Sequence, residues 1–369
     1  MQRQDQPQYR LLQSHLAAEL QTAIVEAVNG AAHWVDHSQR SMGGHLGIRV
    51  TLTEPLQKAS ERVIREAIGD VGRRIDAWAA MLTRHHPSQL TRLNAKSDPA
   101  VRVGPTLAAL LSWSADAWTT TGGLVNVAML NERLAAESGA PSRRQTLSRD
   151  WRLELDHWRH DDHAHLRGGL LHRPSELHID LDGVGKGWIA DRAVALLARI
   201  LDSRVAAGEI PAWESCFVDG DGDIAILNRS GAETEVRIEI PRDSEAAIGT
   251  VRVRDASAGV ATSGTGVHRW GGRHHIIDPR TGQPADSGIA QATVVAESAR
   301  EAEAWAKAIV IGGAASILRA EAAGVKRIVA VKTDGVIVSA PAIDSTRATN
   351  TYTPRLSVPP EPNALLGTQ

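Results

Sequence analysis

The chain has 369 residues, 42% of them hydrophobic and 23% charged, with a formal net charge of -2, values of a globular protein large enough for one large domain or two tightly joined ones. That near-neutral balance excludes a general electrostatic attraction to nucleic acid or anionic membrane. A single cysteine, Cys216, excludes an internal disulfide, and no apolar run approaches the roughly 20 residues of a membrane span. The polar start, Met1-Gln2-Arg3-Gln4-Asp5-Gln6-Pro7, lacks the layout of a signal peptide and has no nearby cysteine to carry a lipid, so a cytoplasmic location is expected. Ten Trp stand against two Tyr and one Phe, a skew that the sequence does not explain.

In chain order, the spacing of Leu12, Leu16, Leu20, Ile24 and Val28 predicts an amphipathic helix over 9–37. The Gly-rich stretch 41–47 opens a strand at 48–52. Helical spacing through Val63, Ile64, Ala67, Val71, Ile75 and Trp78 predicts a helix over 56–81, and a second helix, Pro105–Thr120, is stopped by Gly122 and Gly123. Segments 137–150 and 156–176 are polar, rich in His and Arg, and read as surface excursions. A strand at 177–181 meets the glycine-rich turn 182–187, and a helix follows over 188–201. Strands are expected at 216–219, 223–227, 235–240, 250–254 and 291–296. Ser298-Ala299-Arg300-Glu301 is a capping box that starts a helix ended by Gly312 and Gly313. A last hairpin pairs 328–331 with 336–338 through Asp334-Gly335, and the Pro/Thr/Asn-rich tail reads as disordered. Strands joined by tight turns with helices interspersed give an α+β fold class. The expected organisation is an N-terminal helical extension over 1–40, a main domain over 41–342 and a tail over 343–369.

Candidate chemistry lies in four segments. In the turn 182–187, Gly183, Gly185 and Gly187 allow backbone amides to approach a ligand, Lys186 supplies a cation, and the next helix offers its positive end to an anion. The spacing is not that of a Walker loop, and the same turn serves equally as a structural link. Asp219-Gly220-Asp221-Gly222-Asp223 invites a calcium reading, but no helix precedes it and no Glu closes it, so a tight turn between strands stands beside any functional role. His274 and His275 precede Asp278-Pro279-Arg280-Thr281-Gly282; an imidazole there can accept a proton near neutral pH, and neighbours on a strand point apart, so one of the pair faces a given site. Glu303 and Lys307 share a helical face, the spacing also of a favoured surface ion pair.

Together and in this order the segments resemble the ApbE family of FAD:protein FMN transferases. Residues 179–192, IDLDGVGKGWIADR, are similar to the family's DLGGIAKGYAADRA-type segment; 222–224 to its GGDI turn; 260–264 to its IATSG strand; 275–282 to its HIIDPRTG signature; and 294–296 with 302–308 to its VVA…ADALATA stretch. Ser41-Met42-Gly43 resembles its MGT opening, 88–94 its SELSRLN and 121–126 its TGGAFD, so the likeness runs over about 41–340.

The resemblance implies an ApbE-like flavin transferase fold, with antiparallel sheets and packed helices around an FAD cleft. It implies attachment of FMN from FAD to a Thr or Ser hydroxyl of a flavin-accepting target protein, with release of AMP. Lys186 and Asp180 would contact FAD, His275 rather than His274 would take the hydroxyl proton, and Met42, Leu124, Val125 and Asn126 would line the cleft. A divalent metal, usually magnesium (Mg2+), would lie at the Gly183 carbonyl, Glu303 and Lys307. Glu303 stands for the family's usual Asp and Lys307 for its usual Thr, and a protonated Lys cannot ligate a metal. Lys307 then either stands where part of the metal charge would be or pairs with Glu303 and empties the site. Arg84 stands where many members have an aromatic residue, and Asn126 where Asp is typical. The alternative readings are an FAD pyrophosphatase giving FMN and AMP, and a non-catalytic FAD-binding protein with a degenerate metal site.

Overall fold

The computed structural model describes residues 25–27, 33–140, 149–160, 163–229, 231–240, 243–340 and 352–354. Its centre is an eight-stranded antiparallel sheet of β1 (His33–Ser41), β2 (Gly44–Leu52), β3 (Trp213–Gly220), β4 (Asp223–Asn228), β5 (Ser257–Gly264), β6 (Ile289–Ala296), β7 (Arg327–Lys332) and β8 (Ile337–Ala340), lying side by side in that order. The helices are α1 (Lys58–Leu82), α2 (Gln89–Asn94), α3 (Pro105–Thr120), α4 (Leu130–Ser138), α5 (Gly185–Ala206), α6 (Ala299–Gly312) and α7 (Ala314–Ala322).

Period-2 alternation gives the sheet two buried faces. Cys216, Val218, Ala225, Ala261, Val294 and Ile328 join the large core that includes α1, α5 and α6. Their neighbours Phe217, Ile224, Ile226, Val260, Val295 and Val329 meet Val236, Ile238, Val251 and Val253 on the other face. Those last residues belong to a four-stranded sheet ordered Val25–Ala27, Thr234–Ile240, Asp243–Val253, Tyr352–Pro354. Helices, central sheet and second sheet therefore stack as an α+β architecture. Trp34, Trp78, Trp113, Trp118, Trp151, Trp188 and Trp213 each carry an Arg guanidinium 3.9–5.6 Å from the ring centre. Indole presents the best aromatic face to a cation, a physical reason for Trp in place of Phe in this Arg-rich chain. Among the described residues no helix is long and apolar enough to cross a membrane.

Four expectations need correction. Much of the helix expected over 9–37 lies outside the described residues, but 25–27 and 33–37 are strand, and β1 pairs with β2 from His33↔Leu52 to Ser41↔Gly44. Met42 and Gly43 close that hairpin at φ 54 and 80, the left-handed geometry of a two-residue turn; the boundary expected at 41 falls inside the hairpin. Much of 156–176 is also strand: Arg152–His160 and His163–His172 form a hairpin flanked by Ala100–Val103, and Leu171 is buried in the main core. Segment 177–181 joins no ladder. Of the tail beyond 343, only Tyr352–Pro354 is described, as a strand beside Gly249–Val251.

Candidate active site

The segment preceding α5 is held by side chains that stand in for strand neighbours. Asn94 Nδ2 donates to Ile179 O at 2.8 Å, and Asn94 Oδ1 accepts from Ile179 N at 2.9 Å. The buried Arg173 guanidinium donates to the carbonyls of Leu93, Lys96, Ser175 and Leu177. Asp180 N donates to Val127 O at 2.7 Å, which ties this segment to the loop after α3. In that loop Gly122 and Gly123 take φ of 65 and 86, and Thr121 Oγ1 donates to Ala117 O at 2.7 Å while accepting from Val125 N at 3.1 Å.

These two loops, the His275 segment and α6 enclose a cavity of about 70 Å³. Leu124, Val125, Asn126, Asp180, Gly183, His275 and Lys307, all singled out from the sequence, line it together with Arg133, Asp182 and Ile311. Asn126 Oδ1 accepts from Ala128 N at 3.0 Å, while its buried Nδ2 has no hydrogen-bond partner among the described residues. A buried amide donor left in this state favours a ligand that accepts from it.

Arg133 spans one wall. Its guanidinium reaches Glu137 Oε1 at 3.2 Å, Asp180 Oδ2 at 3.5 Å and Asp182 Oδ2 at 3.3 Å. Arg84 joins the same acids, at 2.7 Å from Glu137 Oε1 and 3.3 Å from Asp182 Oδ2. Burial and the neighbouring Asp182 push the Asp180 carboxyl above its ordinary value, against the pull of Arg133. Sequence reading singled out neither Arg133, Asp182 nor Glu137 as site groups; the Arg133–Glu137 spacing on α4 is the only local signal.

The adjacent histidines have different surroundings. His274 Nε2–H donates to Ala285 O at 3.0 Å, and its Nδ1 accepts from Ile276 N at 3.3 Å, so both ring nitrogens serve the loop. His275 Nδ1–H donates to Val267 O at 3.2 Å, which leaves the lone pair on Nε2. Burial, then Lys307, Arg133 and His268, lower its pKa to about 3, so the imidazole is neutral at pH 7. The His268 ring meets it edge-on at 5.2 Å. Asp278 then anchors the loop to α6: its carboxylate accepts from Arg280 N at 2.8 Å, and Arg280 Nη2 donates to Ile311 O at 2.9 Å.

Lys186 and Met42 lie beside this cavity, around the turn from β3 to β4. Asp221 and Gly222 form that turn at φ 65 and 91. Lys186 Nζ donates to Asp221 Oδ2 at 3.0 Å. Burial opposes its charge, but Asp223 and Asp221 outweigh burial and raise its pKa. The Met42 Cε lies 3.1 Å from where a Cβ on Gly220 would stand. Asp219 Oδ1 accepts from Gly222 N at 2.8 Å, and Asp221 also accepts from His45 N at 3.3 Å. Asp219 thus serves the turn and Asp221 ties it to Lys186 and His45, and no group of three or more His, Cys, Asp or Glu suited to a metal occurs among the described residues.

The position expected for magnesium is built differently. Glu303 is buried on α6, and its Oε2 accepts from Gly187 N at 3.1 Å. Lys307 Nζ donates to Gly183 O at 2.7 Å and stands 3.6 Å from Glu303 Oε1. An ammonium therefore sits between the two oxygen groups that would hold the ion. Lys offers donors and no lone pair while protonated, so this set does not fit magnesium. Asp191, inside the segment matched at 179–192, is a helix cap: its Oδ1 accepts from Ala299 N at 2.8 Å and its Oδ2 from Arg300 N at 3.1 Å.

Residues 42–328 match the ApbE family. Over 142 residues the chain is 31% identical to the FAD:protein FMN transferase of Escherichia coli (strain K12), a stretch that is 37% of this chain and 38% of that relative. It is 29% identical over 181 residues to the FAD:protein FMN transferase of Vibrio cholerae serotype O1, covering 47% of this chain and 51% of that relative. The aligned stretches thus span about half or less of the length of these curated relatives. Among solved structures, the ApbE protein of Thermotoga maritima MSB8 superposes with a TM-score of 0.64 at 22% identity, covering 83% of this chain and 96% of that one. The flavin transferase ApbE of Vibrio cholerae superposes with a TM-score of 0.57 at 21% identity, covering 84% and 96%. At those identities the likeness shows a shared fold. With a family match over most of its length, the chain belongs to the ApbE family.

Proposed function

We propose that this protein transfers FMN from FAD to a Thr or Ser hydroxyl of a target protein and releases AMP. The observation that supports the reading best is the meeting, in one cavity, of a neutral His275 imidazole, the Lys307 ammonium and the unsatisfied Asn126 amide. In the reaction the hydroxyl oxygen bonds to the FMN-side phosphorus, and the bond from that phosphorus to the bridging oxygen breaks. The electron pair leaves with AMP, and the hydroxyl proton passes to His275 Nε2 and then to solvent. Lys307, Lys186 and the N-terminal end of α5 would bear on the pyrophosphate charge, with Asp180 holding Arg133 in place. Met42, Leu124, Val125 and Asn126 would contact the rest of FAD.

The cavity, at about 70 Å³, is far smaller than the several hundred Å³ that a dinucleotide needs. Its wall includes ion pairs of Arg133, and a phosphate can replace a carboxylate as partner of a guanidinium. Exchange of those partners widens the cavity when FAD enters. Incubating the protein with FAD and a Thr-containing acceptor peptide, followed by mass spectrometry, tests the reading. A peptide gain of one FMN with AMP release supports it. FMN and AMP without peptide modification would make the protein an FAD pyrophosphatase, and bound FAD without either product would make it a flavin binder.

A further inference from the structure

We infer that Lys307 is the resident cation of this site, and that the protein binds FAD without a divalent metal. The FAD half rests on the proposed function; the metal half rests on geometry alone. The Lys307 ammonium donates to Gly183 O at 2.7 Å and lies 3.6 Å from Glu303 Oε1. Glu303 is fixed in turn by Gly187 N at 3.1 Å, so the carboxylate that aims at Lys307 cannot swing away without losing a buried bond. Gly183 admits the lysine closely: a Cβ there would come within 3.3 Å of Nζ. An ammonium has three hydrogens. One goes to Gly183, one points to Glu303, and the side chain lines the cavity with His275, where the third can meet a phosphate oxygen. A divalent ion bound to the same two oxygens would have to sit against a like charge. Sequence and geometry agree on the substitution: one fixed positive charge, carried by the chain, in place of two supplied by a metal.

The test has two arms. In the first, Mn2+, an EPR-visible ion that takes the oxygen ligands of magnesium, is titrated without flavin. Wild type should take up no Mn2+ that Glu303→Gln removes. Lys307→Thr should gain one such ion, lost again in the Glu303→Gln double variant. A wild-type Mn2+ site that depends on Glu303 would overturn the assignment. In the second arm FAD affinity is measured in EDTA and in magnesium. Wild type should bind equally in both, within about twofold. Lys307→Met, which keeps the bulk and loses the charge, should bind FAD about tenfold or more weakly in both, the worth of one charge-assisted contact. Lys307→Thr should weaken in EDTA and recover in magnesium. A wild-type affinity that rises with magnesium, or a Met variant that binds like wild type, refutes the inference. If wild type binds no FAD at all, the proposed function falls while the Mn2+ arm still decides the cation. If the Thr variant fails to fold, the wild-type and Met measurements remain decisive.

Discussion

Gly259→Ala should be among the most damaging small substitutions in this protein. Gly259 lies on β5 where the start of α6 crosses it. A Cβ there would fall 2.0 Å from Ala299 N, 2.1 Å from Ser298 C and 2.3 Å from Ala299 Cα. All three are backbone atoms, so no side chain can turn aside. Restoring an ordinary 3.4 Å contact requires the helix start to move by about 1.4 Å. That movement disturbs the Asp191 cap, whose bonds to Ala299 N and Arg300 N are 2.8 and 3.1 Å long. Overpacking costs about 1–3 kcal/mol, and losing a charge-assisted bond adds about 1.5–3 kcal/mol, so a loss of roughly 2.5–6 kcal/mol is expected. Urea unfolding followed by Trp fluorescence measures it. Gly208→Ala is the control: nothing lies within 4 Å of its Cβ position, and only its φ of +71 resists substitution, a penalty of about 1–2 kcal/mol. Because α6 also carries Lys307, Gly259→Ala should weaken FAD binding besides. A loss below about 1 kcal/mol, or one equal to that of Gly208→Ala, would show that the crossing is looser than described.

Other outcomes follow from the same geometry. His275→Ala should abolish most transfer with little change in stability, whereas His274→Ala, by removing bonds to Ala285 O and Ile276 N, should cost about 1–3 kcal/mol of stability; the reverse pattern would exchange their roles. Lys186→Ala should weaken FAD binding by about 1.5–3 kcal/mol in calorimetric titration, and an unchanged affinity would remove Lys186 from the site. Burial raises the Asp219 carboxyl from 3.8 to about 6, so the folded state binds the proton more tightly, and stability from this group is present below pH 3.8 and lost as pH rises through 6. Wild type should therefore lose stability relative to Asp219→Asn across that window, by up to about 3 kcal/mol; parallel pH profiles for the two would discard the assignment.

What the sequence made legible was whatever local pattern determines. Helices α1, α3 and α6 announce themselves by period and boundary: Ser298 accepts from Glu301 N, one of the two bonds of a capping box, and Gly313 ends α6 at φ 66. Strands β3, β4, β6 and β7 are legible as apolar runs because both of their faces are buried. Strand β1 was not legible: His33-Trp34-Val35-Asp36-His37 reads as polar, and its pairing depends on Met42 accepting a left-handed φ that side chains rarely adopt. Segment 177–181 misled in the opposite sense. Leu177, Ile179 and Leu181 alternate and are buried, but the neighbour that satisfies Ile179 is the Asn94 side chain, which no strand pattern encodes. In the site, alternation sets His274 and His275 on opposite sides, but only the family resemblance names His275; the shared face of Glu303 and Lys307 was open to helical spacing. The Gly183 carbonyl and the guanidinium of Arg133 were not, since one is backbone and the other comes from a helix that local sequence does not join to the turn.

The titration of His275 ties these groups into one argument. The ring faces Lys307 from α6, Arg133 from α4 and His268 from its own loop, and burial with these charges lowers its pKa to about 3. A base that weak is a poor acceptor of a hydroxyl proton, because proton transfer is most efficient when the pKa lies near the working pH. On the proposed function, FAD would change the balance: its pyrophosphate would offset the positive charges of Lys307 and Arg133, the largest causes of the lowering after burial. The imidazole should then become more basic when the substrate arrives, and neutral His275 would gain proton affinity at the moment it needs it. NMR of ring-labelled histidine measures this directly. The free protein should hold His275 neutral well below pH 6.5, and FAD should raise its pKa, as should Lys307→Met in the absence of flavin. Because the folded pKa lies below the unfolded value of 6.5, this group adds no proton-linked term above pH 6.5 and destabilises the fold progressively as pH falls from 6.5 toward 3. A His275 signal that already titrates near 6.5 in the free protein, or one that FAD leaves unmoved, would break the link between the cation wall and the base.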